Sequence, residues 1–84
     1  MRIATVLLDN GDKVNRFVLA MSKHSCPIHL ATRRYKVDAK SLIGIFGMDL
    51  TRPLRVEIGT QEQAEDDPEI LAVMQDLAPF AVTP

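Results

Sequence analysis

The chain has 84 residues, 46% hydrophobic and 25% charged, with a formal net charge of -1. That is enough for one ordinary globular domain with a modest core, and the balanced charge excludes recognition of nucleic acid or an anionic membrane through bulk electrostatics. The single cysteine, Cys26, excludes an intramolecular disulfide and points to a reducing cytoplasm.

The opening "MRIATVLLDNGDK" carries a short apolar run broken by Asp9. It is too short and too polar for a signal peptide or a membrane span. Within it, residues 2–8, "RIATVLL", read as a strand because Ile, Thr and Val suit a pleated surface. "DNG" then breaks the strand and supplies helix-capping side chains. Val14, Phe17, Val18 and Met21 follow at i, i+3, i+4 and i+7, one apolar face of a helix over 12–23. "HSCP" ends it. "IHLAT" and "YKVDA" read as two short strands joined tightly through Arg33 and Arg34.

Ser41 opens a short apolar helix, "SLIGIFGM", and residues 49–53 form a loop. Leu54, Val56 and Ile58 alternate with Arg55 and Glu57, the clearest half-buried strand in the chain. After the polar stretch "GTQEQAED", Asp67 is a good N-cap and Pro68 suits the first position of a closing helix. Ile70, Val73, Met74 and Leu77 are its buried stripe. Pro79 ends it, and residues 79–84 read as a loose tail behind a domain of residues 1–78. The order β-α-β-β-α-β-α, with an antiparallel sheet, predicts a two-layer α+β domain.

The short helix carries more apolar side chains than one core-facing side can bury. Ile45, Met48 and Leu50 take the inward positions, which leaves Leu42, Ile43 and Phe46 outward as a partner-docking patch. The alternative is that the tail "PFAVTP" covers them. Ser41 itself reads as the helix N-cap. No enzymatic constellation is legible: Cys26 lacks a base and an oxyanion hole around it. His24, Cys26 and His29 fall within six residues but lack a fourth ligand for a structural zinc, so no metal or other cofactor is expected. The basic cluster at Arg33, Arg34 and Lys36 has only Tyr35 for stacking and reads as a solvated face rather than a nucleic-acid surface.

With that order, "AKSLIGIFGMDL" resembles the HPr family segment AKS-[LI]-[MF]-G-[VI]-[MF]-S-L-G-[LI], and the likeness extends to "FVLAMSK" and "LRVEIGT", over residues 2–77. The HPr family contains the histidine phosphocarriers of the bacterial sugar phosphotransferase system. The resemblance implies an open-faced β-sandwich: four antiparallel strands covered on one face by three helices. It places the family's phosphocarrier motif, G-[LI]-H-[AT]-R-P-A, on "LLDNGDKVNRF". Asn10 then stands at the histidine, Asp12 at the arginine and Lys13 at the proline.

Asn offers no imidazole nucleophile, and Asp12 puts a carboxylate where a phosphoryl group needs a cation. His24, at the far end of the first helix, and His29, in a strand, are not at a helix N-terminus, where phosphate is best held. The expectation is therefore a cytoplasmic, bacterial, histidine-lacking HPr-like module of the Crh type, non-enzymatic, with Ser41 as the phosphorylation site that the resemblance implies. Its partner is expected to be a protein, such as a serine kinase or a transcriptional regulator, and the chain a monomer or weak homodimer without nucleic acid or membrane. Two readings stand beside it: a phosphotransferase-system carrier acting through another residue, and a small nucleic-acid binder through "TRRYK".

Overall fold

A computed structural model describes residues 1–83. Strands β1 (Arg2–Val6), β2 (Ile28–Ala31), β3 (Lys36–Asp38) and β4 (Leu54–Ile58) form one antiparallel sheet in the order β1-β4-β2-β3. Helices α1 (Gly11–Met21), α2 (Leu42–Phe46) and α3 (Pro68–Leu77) belong to the layer that covers the sheet. The α+β fold, with four strands and three helices, is the one expected.

The alternation read in β4 sets the sheet's two faces. Leu54, Val56 and Ile58 point into the core with Leu30 and Ile28 of β2. The helices answer with Val14, Phe17 and Met21 from α1, Ile45 from α2, and Ile70, Val73 and Leu77 from α3. Met74 is only partly buried at the edge of that stripe. On the open face, Glu57 lies across from Ile3 and His29 in the register, and Arg55 across from Thr5 and Ala31. Glu57 is nonetheless buried, because Lys36 Nζ at 2.7 Å and an Arg55 guanidinium nitrogen at 2.9 Å close over it. Ala31 lies between Lys36 and Arg55 in the register and is itself buried.

Two boundaries differ from the expectation. β1, expected over residues 2–8, pairs with β4 from Arg2 as far as Val6, opposite Leu54, where Pro53 stops further pairing because it has no N–H to donate. Leu7 instead donates its N–H to the carbonyl of Phe80. Of the segment expected as a loose tail, residues 79–82 are packed, and Pro84 lies outside the described residues. Residues Ala78–Phe80 form a 3₁₀ turn, Phe80 is buried, and Ala81 and Val82 lie along β1, with the Val82 N–H donating to Thr5. Pro79 does end α3, but the chain then turns back onto the exposed edge of the sheet, which would otherwise present unpaired backbone groups.

Gly59 closes β4 with φ +85°, and a β-carbon there would stand 2.7 Å from Ile70 Cδ1. The turn therefore needs glycine on conformational and packing grounds alike. No helix among the described residues is long and apolar enough to cross a membrane.

Candidate functional site

The N-termini of α1 and α2 carry the sequence-predicted residues. Asn10 caps α1 from an extended backbone, and its Oδ1 accepts the Lys13 N–H at 2.9 Å. Around it the charges are paired along the helix. Lys13 Nζ meets Asp9 Oδ1 at 2.9 Å, and an Arg16 guanidinium nitrogen meets Asp12 Oδ2 at 2.9 Å. The hydrogen bond from Lys13 holds the Asp9 carboxyl below the usual range. Asn10 thus has a structural task, and the carboxylate of Asp12 stands in the first turn of α1.

Ser41 caps α2 in the same way, its Oγ accepting the Gly44 N–H at 3.1 Å. Gly44 allows α2 to settle against β3. A β-carbon there would lie 3.2 Å from Ser41 Oγ and 3.3 Å from Val37 Cβ, closer than ordinary contact, so those neighbours would have to shift. Lys40, the residue before the cap, is turned away: its Nζ donates to the carbonyls of His24 at 2.6 Å and Cys26 at 3.1 Å. That clamp on the loop after α1 is invisible in the local sequence, where Lys40 reads as an ordinary surface lysine.

The inward and outward faces of α2 divide as its spacing implies. Ile45 is buried within α2, which ends at Phe46, earlier than expected; Met48 and Leu50, in the turn that follows, are buried and partly buried against the core. Ile43 is 88% exposed, Phe46 50% and Leu42 38%. Among the described residues the tail does not cover them, since Phe80 packs on Phe17 and Ala81 and Val82 lie along β1. The Phe46 ring reaches toward the start of α1, where a β-carbon on Gly11 would be 4.0 Å from its Cζ. The exposed apolar patch and the capped N-terminus of α1 therefore adjoin.

The histidines and the cysteine are dispersed. His24 Nε2 lies 2.7 Å from Asp76 Oδ2, joining the end of α1 to α3. His29 is on the open face of the sheet across from Glu57. Cys26 is buried, and that burial pushes its thiol up, with Glu69 adding to the effect. Among the described residues no group of three or more His, Cys, Asp or Glu is placed to hold a metal ion.

No family model matches the chain, and no curated protein sequence matches it. Among solved structures, it is similar to the crystal structure of HPr-C-His from Thermoanaerobacter tengcongensis. The two are 24% identical, the match covers 92% of this chain and 90% of that one, and the TM-score is 0.66. The fold is HPr-like. In an HPr-like fold Asn10 and Ser41 stand at the N-termini of neighbouring helices, and neither the α1 N-terminus nor the α2 N-terminus carries a histidine.

Proposed function

We propose that the protein is a non-enzymatic, HPr-like regulatory or protein-binding module that lacks phosphocarrier chemistry, of the histidine-lacking Crh type. The observation that carries this reading is the exposure of Leu42, Ile43 and Phe46 together on one short helix, beside an α1 N-terminus capped by Asn10. A cluster of large apolar side chains held in water suits a partner surface, and a central aromatic is a natural anchor for one. The partner is a protein. The working context is the bacterial cytoplasm.

Ser41 stands at the edge of that patch as a phosphorylation site. Its hydroxyl is half-buried and already faces the first N–H groups of α2, so a phosphate there would meet the positive end of a helix. Nearly two added negative charges would favour a partner that presents an arginine and disfavour a purely apolar one.

The test is affinity capture from the native host with the wild type and with Phe46→Asp, followed by binding measurements on the purified partner. The variant should melt within about 0.5–1 kcal/mol of the wild type, as surface substitutions do, and should lose the partner. A large loss of stability would make Phe46 a core residue. Retained binding would move the interface elsewhere.

A further inference from the structure

We infer that the cleft between the β2–β3 turn and the loop after α2 is a binding site for a small phosphomonoester. The cleft has a volume of about 630 Å³, within the range of roughly 300–1,000 Å³ typical of small-molecule sites. The β2–β3 turn supplies Arg33, Arg34 and Tyr35, and the loop supplies Asp49, Arg52 and Pro53. Leu42, Ile43 and Phe46 do not line it, so it is separate from the α2 patch.

Both walls are shaped by hydrogen bonds within the chain. Thr32 N–H donates to the Tyr35 carbonyl at 3.0 Å, while Thr32 Oγ1 accepts the N–H groups of Arg34 at 3.2 Å and Tyr35 at 3.4 Å. This tight turn puts two successive arginines at its tip. Tyr35 Oη donates to the Gly47 carbonyl at 3.2 Å and ties that turn to the end of α2. On the other wall Asp49 Oδ1 accepts the N–H and the hydroxyl of Thr51, at 3.0 and 2.6 Å. These bonds, the hydroxyl's foremost, hold the Asp49 carboxyl below its usual range and so ionised.

The charges on these walls do not cancel. Arg33 and Arg34 form no ion pair with a carboxylate among the described residues. Arg52 reaches Asp49 only at 3.7 Å, with both side chains largely exposed. Three guanidiniums against one carboxylate leave two positive charges around one concave volume. A solvated basic face would spread such charges apart. Here two segments far apart in sequence bring them to one cleft, where a single anion can meet all three. A phosphomonoester carries about -1.5 to -2 at neutral pH and presents three acceptor oxygens, which guanidinium forks match in geometry. The single carboxylate on the opposite wall is an acceptor for a hydroxyl on the same ligand. A small, hydroxylated phosphomonoester satisfies both walls. The net charge of -1 over the whole chain disfavours a long polyanion.

The probe is glycerol 3-phosphate, titrated into the isotope-labelled full-length chain at constant ionic strength and followed by amide chemical shifts. Saturable shifts should appear in residues 32–35 and 49–52. Arg34→Gln combined with Arg52→Gln should weaken binding by about tenfold or more, from the loss of charge-assisted contacts. Arg33→Gln alone serves as a second variant. Asp49→Asn should tighten the binding of inorganic phosphate, for which the carboxylate is only an opposing charge, and should weaken that of glycerol 3-phosphate relative to it, because the ligand hydroxyl loses its acceptor while Thr51 keeps its own. Non-saturating shifts, equal shifts with matched sodium chloride, or unchanged binding in the arginine variants would overturn the site. So would a short single-stranded oligonucleotide binding at the same residues more tightly than glycerol 3-phosphate.

Discussion

The rings of Phe17 and Phe80 meet edge to face, their centroids 5.5 Å apart and their planes at 86°. Phe17 is wholly buried in the middle of α1, and Phe80 comes from the segment beyond α3. That contact fastens the end of the chain over the core and brings Ala81 and Val82 to β1. Phe80→Ala should therefore lower stability by about 3–5 kcal/mol, the usual range for a buried phenylalanine. Chemical denaturation of the two proteins measures it. A loss below about 1 kcal/mol would mean that the terminal segment is not part of the cooperative unit.

What could be read from the sequence, and what could not, divides along the same line. The apolar spacing in α1, the alternation in β4, and the caps at Ser41 and Asp67 are all set by residues within one or two turns of each other, and local spacing reports them. The inward and outward faces of α2 were legible for the same reason: the helix is short and its side chains point where the 3.6-residue period sends them. Phe80 was not legible. Pro79 correctly signalled the end of α3, but the partners of the next residues are Thr5, Val6, Leu7 and Phe17, more than sixty residues back. Glu57 was hidden similarly. It reads as the solvent side of a strand, and is buried only because Lys36 crosses a neighbouring strand to reach it. The cleft required Arg52 to be brought beside Arg33 and Arg34. The exposure of the α2 patch was inferable, whereas the identity of whatever docks there depends on a surface outside this chain.

Ser41 gives a second prediction. Its Oγ satisfies the Gly44 N–H, which has no partner within α2. Ser41→Ala should cost about 1 kcal/mol, while Ser41→Asp should retain most of the stability, since aspartate also caps and suits the helix dipole. Thermal melts of the three proteins provide the comparison. Equal melting of Ser and Ala would remove the cap from the account of α2.

The third prediction follows from Glu57. The hydrogen bond and charge of Lys36, with the charge of Arg55 nearby, hold its carboxyl below the ordinary glutamate value. A carboxyl lowered on folding contributes stability that is fully present above its unfolded pKa, about 4.3, and lost as pH falls through the folded value. Glu57→Gln removes the titrating group. The stability gap between wild type and Glu57→Gln should be constant from pH 7 to about pH 5 and shrink below that, as followed by urea unfolding midpoints at each pH. A gap that widens on acidification would reverse the assignment of the ion pairs as stabilising.

The fourth prediction concerns the α1 N-terminus. On the proposed reading, phosphoryl transfer from Enzyme I would need an imidazole nucleophile and a cation beside it, and the HPr resemblance aligns Asn10 and Asp12 with those two positions. The Asn10 amide oxygen already accepts the Lys13 N–H, and the Asp12 carboxylate is paired only with the exposed Arg16. Incubation with phosphoenolpyruvate and Enzyme I should leave the wild type without acid-labile phosphate. Asn10→His alone should accept phosphate slowly at most. The incoming phosphoryl group would then face a carboxylate in the first turn of α1, and an exposed ion pair screens such a charge weakly. Asn10→His with Asp12→Arg should transfer faster than the single variant, because the second change turns repulsion into a charge-assisted contact. Melting curves on each variant separate chemistry from cap loss, which for Asn10→Ala should cost about 1 kcal/mol. Stoichiometric acid-labile labelling of the wild type on any residue would sink the non-carrier reading, and labelling at His24 or His29 would move the carrier site there.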